Sequence, residues 1–232
     1  MKNLTARFLK LLGLLTMEIV LVSVLFLTAF VVFFYLTRIV FQQQSEALDE
    51  AAFQWMDAHR TQWPALTPLM RGVTFFASAP FLVATAVLLP AGLALRNYRR
   101  EGLEVFWAIA GAALLNHLLK THFHRLRPDT ALLKQYGLSF PSGHAMIGLA
   151  LYGCLAWLLW RHGRHPAWAL ALLLWALVIG LSRVYLHVHY FTDVLAGFAA
   201  GLAWLILLRA ALHLWWREQA LREQAVLNAE SS

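Results

Sequence analysis

From Ile19 to Val40 the chain carries one charge, Arg38, in a run that is otherwise almost wholly apolar. At about 1.5 Å per helical residue this run is long enough to cross the hydrocarbon core of a bilayer. It is too long for the core of a signal peptide and no small-residue cleavage pattern follows it, so it reads as a retained signal-anchor helix. Further apolar runs cover 73–95, 105–119, 145–160, 168–181 and 191–214. Pro80 and Pro90 fall inside the run 73–95, where kinks are expected. A chain of 232 residues that is 60% hydrophobic and 13% charged holds more apolar surface than a soluble core of ordinary composition can hide. The expected fold is all-α: a polytopic membrane helical bundle with about six transmembrane helices, built as one domain over residues 1–232.

The segments outside these runs have their own patterns. Leu4, Phe8, Leu11, Leu12 and Leu15 recur at helical spacing while Lys2, Arg7 and Lys10 point elsewhere, which predicts an interfacial amphipathic helix over about residues 3–15. Between Gln42 and Arg71, acidic residues mix with Phe53, Trp55 and Trp63 in an extramembrane segment. Ala51, Ala52, Phe53 and Met56 would form one face of a short surface helix there, interrupted by Pro64 and Pro68. Residues 217–232 form a polar tail. The one cysteine, Cys154, lies in an apolar run and behaves as a small buried hydrophobe.

The net charge of +7 does not point to nucleic acid, because the cations sit at the ends of apolar runs and form no continuous stripe. If six spans alternate, Lys2, Arg7, Lys10, Arg96, Arg99, Arg100, Arg161, Arg164, Arg217 and Arg222 fall on one side, which the positive-inside bias makes cytoplasmic. Both termini then face the cytoplasm. The segment around Asp49 faces the periplasm or exterior, together with three clusters of polar residues that interrupt the apolar chain.

Those clusters are Lys120 with Arg127-Pro128, then Pro141-Ser142-Gly143-His144, then Ser182-Arg183 with His189 and Asp193. Each lies at the end of an apolar run, where an ionisable residue is a functional candidate by default. Lys120, Arg127 and Arg183 supply fixed positive charge, and arginine suits bidentate contact with phosphate oxygens. Ser142 and Gly143 fall at the expected N-terminus of the fourth span, where free N–H groups favour an anion and glycine permits close approach. His189 and Asp193 are spaced i, i+4 and would share a helix face, so the carboxylate can hold one ring nitrogen and leave the other to attack phosphorus. His144 is the natural general acid for the leaving group and then the base for water. Taken singly, Lys120 could be a snorkelling lysine, Arg183 a helix-end charge and His189–Asp193 a structural pair. Their convergence on one membrane face is what argues for a site.

The order and spacing of all three clusters resemble the complete signature of the type 2 phosphatidic acid phosphatase family, whose active site is similar to that of the vanadium haloperoxidases. The motifs cover residues 120–193, and the span pattern extends the likeness over most of the chain. The resemblance implies that His189 is the nucleophile of a phosphohistidine, Asp193 its orienting partner and His144 the proton donor. It implies that Lys120, Arg127, Ser142, Gly143 and Arg183 bind phosphate, with no metal and no cofactor. His122, His124, Arg125 and His187 remain candidates for the border of the pocket. Zinc at His122-x-His124 or His187-x-His189 lacks a cysteine or a dense carboxylate set to complete a site.

The expected function is therefore hydrolysis of the terminal phosphate of a lipid phosphate or diphosphate, with undecaprenyl diphosphate, phosphatidylglycerophosphate and phosphatidic acid as the substrates the resemblance offers. A phosphotransferase using the same site, and a non-catalytic lipid-phosphate binding or transport protein, are the alternatives. A haloperoxidase would need vanadate and a soluble frame, which the composition opposes. The partners are the lipid substrate and the bilayer; nothing in the sequence fixes an oligomeric state.

Overall fold

The computed structural model describes the backbone of residues 2–230 and, apart from Glu18, the side chains of 17–219, with those of Arg222, Glu223, Leu227 and Asn228 beyond them. Within those residues it is all-helical: α1 (Lys2–Phe41), α2 (Glu46–Gln62), α3 (Leu66–Phe75), α4 (Ala79–Leu95), α5 (Arg99–Phe123), α6 (Gly143–Arg161), α7 (Pro166–Tyr185) and α8 (Phe191–Glu230). The backbone of residues 3–15 is the first part of α1, and the amphipathic face expected there rests on side chains outside the described residues.

Among the described residues, five helices are long and apolar enough to cross a membrane: Ile19–Phe41, Arg99–Phe123, Gly143–Arg161, Pro166–Tyr185 and Phe191–Gln219. The span expected as one helix over 73–95 is instead two. α3 and α4 meet at 41° across residues 76–78, and taken together as one broken span they bring the crossings to six. Pro80 is the physical reason, because it has no N–H to continue a ladder from α3 yet suits the first turn of a new helix. Pro90 lies within α4, which remains helical through it. The third span also starts earlier than its apolar run. Arg99, Arg100 and Glu101 form the first turn of α5, and Glu101 and Glu104 pair with Arg161 at the end of α6.

α6 stands at the centre, packed against α5, α7 and α8, while α1 lies along α8 at the rim, α4 along α5 and α3 along α7. Lipid-level helices gain no hydrophobic drive toward one another, so close backbone approach and side-chain fit must hold them. α8 supplies both. Its Gly197 and Gly201 face α6 so closely that a Cβ would stand 2.7 Å from the Ser142 carbonyl oxygen and 2.6 Å from that of Met146. On its other faces Phe198 fills the notch at Gly180 of α7 and Trp204 the notch at Gly111 of α5. The Gly197–Gly201 crossing seats the first turn of α8 against the first turn of α6, where the Ser142 N–H donates to the Asp193 carbonyl at 3.0 Å. Two polar clusters distant in sequence are thereby joined.

Gly197→Ala should lower the thermal stability of the detergent-solubilised protein, with a cost of about 1–3 kcal/mol because backbone must shift to admit the methyl. Gly92→Ala, where nothing lies within 4 Å, is the control and should be neutral or slightly stabilising. Equal melting temperatures for wild type and Gly197→Ala would count against the close crossing.

Candidate active site

The segment 124–142 between α5 and α6 has no regular secondary structure, so its backbone groups need partners from elsewhere. Residues of the first cluster supply them. The Lys120 ammonium donates to the carbonyls of Leu138 and Ser139, the latter at 3.1 Å. Arg127 Nε donates to Gly137 O at 3.1 Å. Ser139 closes the segment on itself through its N–H to Arg125 O and its hydroxyl to Leu126 O, both at 2.8 Å. Asn116, buried within α5, donates to Pro141 O at 3.2 Å, and its Oδ1 lies 3.0 Å from where a Cβ on Gly143 would stand. A Cβ on Gly143 would thus crowd the Asn116 amide at the start of α6. Asn116 was not singled out from sequence, although an amide inside an apolar span is a usable signal.

Ser142 is the N-cap of α6, yet its hydroxyl makes no capping bond; the oxygen is buried and unpartnered. The first helical N–H groups that follow, those of Gly143 and His144, have no intrahelical acceptor. Arg183, read from sequence as flanking the fifth span, lies in the last turn of α7 and is almost fully buried. Its Nη1 donates to Thr74 Oγ1 at 2.6 Å, while Nε and Nη2 have no partner. These unsatisfied donors, with the two other cations, form a cradle complementary to a multiply charged anion.

His189 and Asp193 were expected on one helix face. The structure places only Asp193 on α8, with His189 in the preceding loop, and still brings Nδ1 to 3.4 Å from Asp193 Oδ2. The loop departs from helix at His187, whose φ is +54°. On the other side of the ring, Arg127 Nη1 lies 3.1 Å from Nε2. Guanidinium can only donate, so Nε2 is the acceptor and Nδ1 carries the proton directed at Asp193. Burial, and then the charges of Arg127, Arg183 and Lys120, hold His189 protonation well below the ordinary histidine range. A neutral imidazole with its lone pair at Nε2 is the form that can attack phosphorus. Burial also lowers the Arg127 pKa, with Asp193 opposing the shift.

Lys120, Arg127, Gly143, His144 and His189 line one cavity of about 420 Å³. Its walls continue into apolar surface between α4 and α5, including Leu82, Val83, Val87 and Ile109, and Gln135 also reaches it. Ser142, Arg183 and Asp193 stand behind this lining, fully or almost fully buried.

The border candidates separate. His187 stacks on Phe53 at 4.2 Å, contacts Thr130 Oγ1 at 3.0 Å and lies 2.9 Å from Asp57, so it fastens α2 and stays out of the cavity. Burial lowers its pKa, while Asp57 opposes that shift. His122 and His124 are exposed outside the cavity. Arg125 turns behind His189 to the Asp193 carboxylate. Sequence reasoning missed Asp49 and Thr192, which complete that contact; nothing in one sequence distinguishes Asp49 from its acidic neighbours. Among the described residues, no group of three or more His, Cys, Asp or Glu side chains could hold a metal ion.

A bundle of membrane-spanning helices whose ends carry a cationic cradle beside a neutral imidazole defines a class: a multi-pass membrane phosphoric-ester hydrolase. The comparisons place the chain within that class. The family model of the PAP2 superfamily matches residues 101–217, and the chain belongs to this superfamily. It is 33% identical over 179 residues to phosphatidylglycerophosphatase B of Bacillus subtilis, an alignment covering 75% of this chain and 87% of the relative. It is 31% identical over 165 residues to a lipid A 1-phosphatase of Rhizobium johnstonii, covering 60% and 64%. A crystal structure of a transmembrane PAP2-type phosphatidylglycerolphosphate phosphatase from Bacillus subtilis superposes with a TM-score of 0.72 at 32% identity, covering 80% of this chain and 94% of that one.

The buried imidazole can be tested without turnover. In histidine-labelled protein, NMR should show the His189 ring neutral at about pH 6. Arg127→Gln removes a repelling cation and should move the His189 midpoint upward. A wild-type midpoint at or above the ordinary 6.5 would contradict the burial and charge argument.

Proposed function

We propose that the protein hydrolyses the terminal phosphate of a lipid phosphate at the outer leaflet, through a phosphohistidine on His189. One observation carries the proposal: Nε2 of a neutral His189 meets Arg127 in a cavity shared with Lys120 and His144, and that cavity opens into apolar helix surface. The phosphate would take over the Arg127 donor, freeing the Nε2 lone pair. Lys120, Arg127, Arg183, Ser142 and the Gly143 N–H would hold the oxygens that gain charge. Nε2 attacks phosphorus, the bond to the leaving oxygen breaks, and His144, which carries its proton when the charge of the bound phosphate offsets the cations, gives that proton to the leaving oxygen. His144 then takes a proton from water, the hydroxide attacks phosphorus, and the N–P bond breaks to release inorganic phosphate. Asp193 holds the Nδ1 proton throughout and favours the positive charge on the ring.

Among lipid phosphates, phosphatidylglycerophosphate is the first substrate to test. The relative that aligns over most of both chains is named for acting on it. Lipid A 1-phosphate is the second, from the other named relatives. The apolar wall between α4 and α5 suits the lipid chains of either.

Purified protein should release inorganic phosphate from at least one lipid in a panel of monophosphates and diphosphates. His189→Ala should lose that release by several orders of magnitude while remaining folded in the membrane. Wild-type turnover in this variant would overturn the mechanism, and label recovered on an acceptor lipid in place of phosphate would make the protein a transferase.

The outer-leaflet placement rests on the distribution of Arg and Lys, with Arg99, Arg100, Arg161 and Arg164 at the end of the bundle opposite the cavity. Glu50 is exposed on α2, at the cavity end. Glu50→Cys should react with an impermeant maleimide on intact cells, and reaction only after permeabilisation would reverse the orientation.

A further inference from the structure

We propose that Arg125 is a positioning residue of the reaction, anchored by Asp49 of α2, and that this pair holds Asp193 and through it His189 in attacking geometry. The proposal rests on the His189 mechanism above. It extends the working unit beyond the three motif clusters, to an extramembrane helix far from them in sequence.

Arg125 is two residues from Arg127 and invites reading as a second phosphate ligand. Its contacts exclude that role. Nη1 donates to Asp193 Oδ1 at 2.7 Å and to Thr192 Oγ1 at 2.9 Å, and Nη2 donates to Asp49 Oδ2 at 2.8 Å. The guanidinium carbon lies 3.9 Å over the Tyr190 ring. The side chain is absent from the lining of the Lys120–His189 cavity and borders instead a separate depression beside α2. It approaches the His189–Asp193 pair from behind.

The two oxygens of Asp193 have different duties. Oδ1 accepts from Arg125; Oδ2 accepts from the Tyr190 N–H at 3.0 Å and faces His189 Nδ1. With both contacts made, the carboxylate cannot rotate about its last bond without losing a charged hydrogen bond. Asp49 fixes the rest. Its Oδ1 accepts from the Thr192 N–H and its Oδ2 from the Thr192 hydroxyl, each at 2.9 Å. Thr192 is the second residue of α8, and its N–H is one of the donors a helix start leaves without a partner. α2 therefore supplies the cap of α8 from outside the helix's own sequence. Asp49 is buried, and α2 is pressed onto this end of the bundle by Phe53 and Met56.

A misplacement of about 1 Å in a reacting group can cost on the order of 10²-fold in rate. Arg125→Gln should therefore lower kcat by about 10²-fold with KM little changed, since no phosphate contact is removed. Arg125→Lys should recover part of the loss. Asp49→Asn should reduce kcat as well, and the Arg125→Gln/Asp49→Asn pair should cost less than the product of the single effects, because both act through Asp193. The pH profile supplies a readout that a merely structural role would not move. His189 faces Lys120, Arg127, Arg183 and His144 on the cavity side and Asp193 behind. Freed from Arg125, Asp193 directs its whole charge at His189, which then protonates at higher pH, so the acid limb of kcat moves upward.

The experiment measures phosphate release by wild type, His189→Ala and these variants, with melting temperature and size-exclusion profile for each. Arg125→Gln turnover within about twofold of wild type overturns the proposal, as does a loss confined to KM or a loss of kcat with an unmoved acid limb. Wild-type protein that releases no phosphate from any lipid overturns the proposed function instead, so the two failures are distinguishable.

Discussion

A carboxylate with no exposed surface stands in the first turn of α8, and the arrangement of the cavity end of the bundle follows from accommodating it. Burying a charge without a partner costs far more than a membrane protein's stability can absorb, so Asp193 needs a cation and hydrogen bonds. Arg125 and the Tyr190 N–H supply these on one side, and His189 stands on the other. Arg125 in turn lies half-buried between two acids, and Asp49 balances it from α2. The chain of compensation runs from α2 to the imidazole, and each member fixes the orientation of the next. Breaking a buried pair of this kind typically costs about 3–5 kcal/mol, which makes the network stiff as well as costly to disturb.

On the cavity side the problem is inverted. Lys120, Arg127 and Arg183 stand close enough to repel one another, and two of them are held by carbonyls and the third by the Thr74 hydroxyl. Carbonyl dipoles orient a cation without neutralising it. The field therefore remains available for an anion and requires no reorganisation when charge develops on phosphorus. Burial, and then this same field, disfavour protonation of His189. In the proposed mechanism, cradle and nucleophile are coupled electrostatically: bound phosphate offsets the cations and favours the positive charge that His189 would take on.

Residue types and spacing carried most of this in the sequence. The apolar runs located the crossings, and the three clusters named the residues that the structure gathers around one cavity. What the sequence did not show depends on how helices dock. Glu46, Asp49, Glu50 and Asp57 are alike on paper, and only the seating of Phe53 and Met56 decides that Asp49 turns inward. The i, i+4 rule brought His189 to Asp193, but through a loop that folds back at His187 and not through a helix. Pro80 signalled an irregularity without revealing that the chain leaves the helix altogether over residues 76–78. Gly197 and Gly201 were ordinary small residues until α6 was laid against them.

Charge inside an apolar span does not by itself mark a site, and the opposite end of this bundle shows why. Glu104 is buried there, Arg161 reaches both it and Glu101, and Arg209 lies over the Trp157 ring with a longer contact to Glu104. By burial and charge alone this group rivals the cavity end. Its charged groups, however, are spent on one another, acids against arginines, with the Trp157 indole N–H left without a partner, and the cluster ties α5, α6 and α8 together. At the cavity end Ser142 Oγ and Arg183 Nε and Nη2 are buried and left open in a field of uncompensated cations. Buried polar atoms in a folded protein are nearly always satisfied, so donors left open together around one concavity indicate groups arranged for a ligand. Satisfaction, more than charge, separates a structural cluster from a candidate site.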